Sequence, residues 1–118
     1  MDSHVIIPKT DVSTIEKRLQ GWFRDPSILS RKPFQIVDHV YYVGNTWVSA
    51  FFLDTSVGLV LIDCSIQETL YQLIDGMYQL GFDPHNIKKI LLTHGHFDHC
   101  GAAGCLQRMS GCEVWVGE

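Results

Sequence analysis

Ile90 to Gly104 read ILLTHGHFDHCGAAG, an apolar run, then three histidines and an aspartate within six residues, then glycines. The run belongs to IKKILLT, Ile87 to Thr93, whose nearly continuous apolar character is expected of a strand covered on both faces. His94 and His96 are two apart, so their rings point to one side while the chain stays extended. Gly95 and the glycines that follow let the chain turn, which brings Asp98 and His99 towards the same pocket. His94, His96, Asp98 and His99 are therefore four potential metal ligands on one short segment. Imidazole nitrogen and carboxylate oxygen suit zinc or iron. A segment this short does not easily wrap four donors around one tetrahedral ion, so two ions sharing it is the more natural arrangement. Without a ligand the cluster would leave costly polar groups near a core, at the strand end where α/β proteins usually bind their ligands. His4, His39 and His85 stand singly and read as solvated or hydrogen-bonded side chains.

Working outward, GAAGCLQRMSG reads as a helix and CEVWV as a further strand. Upstream, Ile66, Leu70, Leu73, Ile74, Met77 and Leu80 keep helical period until Gly81, and Ser65 with Glu68 has the spacing of a capping box. Before them FQIVDHVYYV, TWVSAFFLD and VGLVLID are rich in β-branched and aromatic residues and separated by GN and TS, which predicts an antiparallel meander. A second capping box, Ser13 with Glu16, precedes Ile15, Leu19, Trp22 and Phe23 and predicts a short amphipathic helix. The predicted order is a β-meander followed by α, β, α, β, a layered α/β architecture.

The chain has 118 residues, 46% of them hydrophobic, enough for one domain with a real core. Charged residues make up 19% and the formal net charge is −4, with no polybasic run to neutralise phosphates or grip an anionic membrane. Neither nucleic acid nor membrane is expected as a partner. The start carries no basic and apolar export signal, and no apolar stretch is long enough to span a bilayer. Cys64 stands alone while Cys100, Cys105 and Cys112 cluster, in no disulfide-framework or paired C-x-x-C spacing, so reduced thiols in a cytoplasmic protein are expected.

THGHFDHCGAAG resembles the H-x-H-x-D-H signature of the metallo-β-lactamase-fold hydrolases, and the resemblance runs from about Phe34 to the end of the chain. It implies the four-layer αββα fold of that family, with residues 34–118 supplying about its N-terminal half and residues 1–33 a preceding helix and loop. It implies His94 and His96 as ligands of a first metal and Asp98 and His99 as ligands of a second. Zinc is the implied ion at both places, with iron or manganese as alternatives. Asp98 would also be catalytic, orienting a metal-bound hydroxide and accepting its proton. GLVLIDCS resembles the family strand that ends in an aspartate bracing the metal segment. Asp63 occupies that place, followed by Cys64 and Ser65 where small residues are usual, and it is the expected acceptor for the outer N–H of a ligand histidine.

The resemblance further implies one more histidine per metal from later loops, yet no histidine follows His99. The expected reading is the N-terminal part of a zinc-dependent hydrolase that cleaves an amide or ester bond in a small-molecule substrate of the β-lactam, lactone or thioester type. The motif context resembles most the lactamase subclass that keeps all three motif histidines. The alternative is a non-catalytic metal-binding or interaction fragment. Half of such a fold would leave an apolar sheet face open, so a second copy or a complementing C-terminal half is the expected partner.

Overall fold

A computed structural model describes residues 24–93 and 100–116. The helix predicted after Ser13 lies outside these residues, as do His4, His94, His96, Asp98 and His99.

One six-stranded sheet in sequential order organises the described residues: β1 Phe34–Val37, β2 Val40–Tyr42, β3 Phe51–Thr55, β4 Gly58–Ile62, β5 Ile87–Leu92 and β6 Glu113–Val116. The first four strands pair antiparallel, as a meander must, and β4, β5 and β6 pair parallel. Parallel neighbours need a crossover. Helix α1, Leu70–Gln79, supplies the first and helix α2, Ala103–Ser110, the second. The predicted order is thus the observed one.

Helical packing explains which face is buried. Tyr41, Phe52, Leu61, Ile90 and Val114 lie opposite one another in register across five strands. Phe52, Leu61 and Ile90 are fully buried in one cluster with Leu73 and Met77 of α1 and Leu106 of α2. Tyr41, Phe52 and Phe82 pack ring against ring at centroid distances of 4.9 to 5.0 Å. The helix α1 ends where the sequence says, with Leu80 as cap and Gly81 at φ +90.

Four expectations need correction. FQIVDHVYYV is two strands, because His39 turns the chain at φ 67 between them. TWVSAFFLD contributes strand only from Phe51. The Asn45 carboxamide oxygen accepts the backbone N–H groups of Trp47 and Val48, both at 2.8 Å, and this local bonding displaces the ladder. Ser65 does not cap a helix: it sits at φ 63, a 3-10 turn Gln67–Thr69 follows, and α1 starts at Leu70. Strand β5 is likewise covered on one face only, with Ile90 and Leu92 buried while Leu91 between them is exposed.

Candidate metal centre

Strands β4 and β5 run parallel and end side by side, so the residues just past their C-terminal ends meet there. Past β4 come Asp63, Cys64 and Ser65; past β5 comes Thr93, and then the segment 94–99 that carries all four predicted ligands. The described residues therefore show the frame around the quartet, while His94, His96, Asp98 and His99 lie outside them.

That frame holds both ends of the segment. At its start, the Asp63 carboxylate accepts the Thr93 backbone N–H through Oδ1 at 2.8 Å and the Thr93 hydroxyl through Oδ2 at 2.9 Å. The Asp63 backbone N–H in turn donates to the Leu91 carbonyl at 2.9 Å. At the segment's end, Ser65 forms a parallel bridge with Cys100, and the Ala102 N–H donates to the Ser65 carbonyl at 3.3 Å. Two residues of one tight turn thus fasten the chain on either side of the quartet. Asp63 and Ser65 do so from left-handed backbone conformations, φ 60 and φ 63, that non-glycine residues adopt at a cost. Asp63 is 5% and Ser65 3% exposed, so their polar groups must be satisfied within the protein. The sequence expectation for Asp63 is a bracing carboxylate, and the described part of its bonding is the clamp on Thr93.

Sequence reasoning missed the residues behind this bracket. Asn45 is 4% and Thr69 2% exposed, and Asn45 Nδ2 donates to Ser65 Oγ at 3.0 Å. The signal was the asparagine of GN, read only as a turn former, although a buried carboxamide needs four partners and so links neighbouring strands.

Cys64 lies inside the same turn, and burial pushes its thiol up to about 12, so it stays protonated at neutral pH. No disulfide joins any of the four cysteines. The histidines and aspartate elsewhere on the described surface stand apart from the turn. His39 is an exposed turn residue, and His85 faces Asp83 at 2.7 Å on the surface, where its backbone N–H and then its ring hold the Asp83 carboxyl below its usual value. Among the described residues no group of three or more His, Cys, Asp or Glu side chains is placed to hold a metal, so none competes with the quartet. An open surface cavity of about 360 Å³ lies between residues 30–33 and α1, lined in part by Arg31, Lys32, Tyr71 and Asp75, and shares no residue with the bracket.

The sequence pattern of the Metallo-beta-lactamase superfamily matches residues 44–118, well over half of the chain. The chain belongs to the metallo-beta-lactamase superfamily. Solved members share its fold. A subclass B3 metallo-beta-lactamase of Bradyrhizobium japonicum is 34% identical and superposes with a TM-score of 0.71 over 73% of this chain and 33% of its own. A B3 metallo-beta-lactamase described as having an active-site glutamic acid is also 34% identical, with a TM-score of 0.73 over 83% of this chain and 35% of its own. The hydroxyacylglutathione hydrolase GloC of Haemophilus influenzae is 57% identical over 30 residues, 25% of this chain and 14% of that protein. The chain thus spans about a third of the length of the solved superfamily structures it matches. Among the described residues no helix is long and apolar enough to cross a membrane.

Proposed function

We propose that this chain contributes the first metal-binding segment of a zinc-dependent hydrolase, with His94 and His96 as ligands of one ion and Asp98 and His99 as ligands of a second. Residues 34–118 are then the N-terminal half of an αββα domain. The observation that carries the reading is the bracket at residues 63–65, which fastens Thr93 on one side of the quartet and Cys100 and Ala102 on the other. Fixed ends are what a metal segment needs, because ligand geometry tolerates little displacement.

The donor set, three imidazoles and a carboxylate, fits zinc, with iron or manganese as alternatives. A bound ion would supply Lewis-acid activation of water and of the scissile carbonyl. Within the chain itself, Asp98 is the group proposed to orient the attacking water and take its proton, and Asp63 to accept the outer N–H of a ligand histidine while holding Thr93. The substrate class is an amide or ester in a small molecule. Similarity to B3 lactamases along most of the described chain favours a cyclic amide of the β-lactam kind, and the short match to a hydroxyacylglutathione hydrolase keeps thioesters as the second reading. Four cysteines outside any disulfide are consistent with the reducing, cytoplasmic setting that belongs to this reading.

Metal analysis after exhaustive dialysis tests the proposal, comparing the parent with His94→Ala and His39→Ala. His94→Ala should lose most of its zinc while His39→Ala keeps the parental content. Equal retention in both would remove the segment as the site. A screen with a chromogenic β-lactam, a homoserine lactone and a glutathione thioester, with zinc added, then assigns the substrate class.

A further inference from the structure

We propose that Asn45 is a positioning residue for the metal segment: its carboxamide locks the turn at residues 63–65 in the shape that fastens both ends of that segment. The proposal rests on the metal reading given above.

The Asn45 carboxamide has no unused capacity. Its oxygen accepts from the Trp47 and Val48 backbone N–H groups, both at 2.8 Å, and its nitrogen donates to Ser65 Oγ at 3.0 Å and to Thr69 Oγ1 at 3.5 Å. Two acceptor and two donor positions are thereby filled. A flipped amide would set its NH2 against two backbone donors, so the orientation is fixed by the network. The backbone around Asn45 is held as firmly. Tyr42 donates its phenolic hydroxyl to the Asn45 carbonyl at 2.8 Å, Asn45 N–H donates to the Val48 carbonyl at 3.0 Å, and Thr46 N–H donates to the Leu29 carbonyl at 2.9 Å.

Ser65 is the other end of this link, and it needs one. Its left-handed backbone is unfavourable for a residue with a side chain and persists only where the surroundings over-determine it. Thr69 gives Ser65 Oγ a second neighbour at 3.3 Å, but the Thr69 hydroxyl also faces the Ile66 carbonyl at 3.1 Å and has one proton to give. The dedicated donor to Ser65 is therefore the Asn45 amide. Through the Ser65 backbone the constraint reaches Cys100 and Ala102, where the segment ends. Asn45 acts in this scheme without touching metal or substrate.

Ser65→Ala separates the two halves of the role. Alanine takes away the acceptor of the Asn45 amide and leaves the Asn45 oxygen on the Trp47 and Val48 amides, so the 45–48 turn survives while the link to position 65 is cut. Asn45→Asp would not cut it, because the Ser65 hydroxyl can turn to donate to the carboxylate. Two readouts apply: zinc affinity by competition with a chromophoric chelator, and amide hydrogen exchange of the metal-free chain. Leu73→Ala, which empties a core position on α1, serves as a control of general destabilisation. Ser65→Ala should bind zinc about tenfold or more weakly than the parent. In the metal-free chain it should also speed exchange at Ala102 by roughly three- to tenfold, without a matching change in the ladder between β3 and β4. Leu73→Ala should speed exchange across the sheet and weaken zinc no more than its loss of folded protein requires. If Ser65→Ala does not accumulate as folded protein, Ser65→Gly, which takes the left-handed backbone without strain, removes the same acceptor and should give the same pattern. Parental exchange at Ala102, or zinc binding weakened no more than in Leu73→Ala, overturns the proposal. Failure of the metal reading is distinguishable, because it appears as parental zinc in His94→Ala, while the Ala102 result is read without metal.

Discussion

Asp63 clamps Thr93, and a second job is proposed for the same carboxylate. Both oxygens are used on Thr93, yet each has a further lone pair, and a carboxylate at this place can also raise the basicity of a ligand imidazole through its outer N–H. Asp63→Asn divides these jobs. The Thr93 backbone N–H keeps a carbonyl acceptor and the Thr93 hydroxyl can rotate to accept from the new amide, so the turn is expected to stay. The charge is lost. Zinc affinity should fall by about ten- to a hundredfold while the urea midpoint moves little, as chelator competition and equilibrium unfolding would show. An unchanged affinity would confine Asp63 to holding the turn. Asp63 was legible in the sequence through the resemblance of GLVLIDCS to the family strand that ends in an aspartate. The reason for its left-handed backbone was not, since that depends on Leu91 and Thr93, about thirty residues away.

Among elements, the meander and the two crossovers were legible because their hydrophobic periods differ, two for strands and 3.6 for helices. What the periods did not convey was where ladders give way to side-chain bonding. The stretch Thr46 to Ala50 has the composition of a strand, and the Asn45 carboxamide takes the amide groups that a strand would need. Ser65 and Glu68 have the spacing of a capping box, and the Ser65 hydroxyl is occupied by Asn45. In the first case a side chain two and three residues away takes the ladder's amides, and in the second a contact remote in sequence takes the capping hydroxyl. Gly44 shows why the turn before Asn45 is so sharply bent. A Cβ there would lie 2.6 Å from both Ala50 N and the Val48 carbonyl oxygen, atoms of the backbone that have no room to move aside. Gly44→Ala should therefore destabilise the chain by about 1–3 kcal/mol, and chemical denaturation should register it as a lower midpoint. A midpoint equal to the parent's would mean that the turn opens without cost.

On the scale of the whole molecule, the described residues put helices on one face of the sheet and none on the other. Phe34, Tyr42, Phe51, Ile62, Leu91 and Trp115 stand opposite one another in register across all six strands on that second face. Phe34 and Trp115, at the two edges, are 40% and 57% exposed, so the row is not a covered core in the chain as it stands. Arg31 lies over the rings of Phe34 and Tyr42 at 5.4 and 5.0 Å, and Lys89 lies over Trp115 at 5.2 Å, a partial shield at either edge. We propose that this apolar stripe is covered by a second copy or a complementing half. If a second copy is the cover, the parent should sediment as an oligomer and changing both Leu91 and Trp115 to Lys should shift it towards monomer in sedimentation velocity, with the unfolding midpoint little altered because neither side chain is in the helix-covered core. Unaltered association would place the contact elsewhere.

The bracket at residues 63–65 also bears on the order of events during folding. Its targets, Thr93, Cys100 and Ala102, lie roughly thirty or more positions later in the chain, beyond the whole of α1 and β5. Neither end of the intervening segment can be fastened until the crossover has closed and β5 has docked beside β4. Contacts this distant in sequence form late, after the loop-closure entropy has been met. The frame at residues 93 and 100–102 is thus set by a finished sheet. A metal bound as proposed would meet a frame already built, the reverse of a zinc finger, in which the ion itself drives the chain to fold.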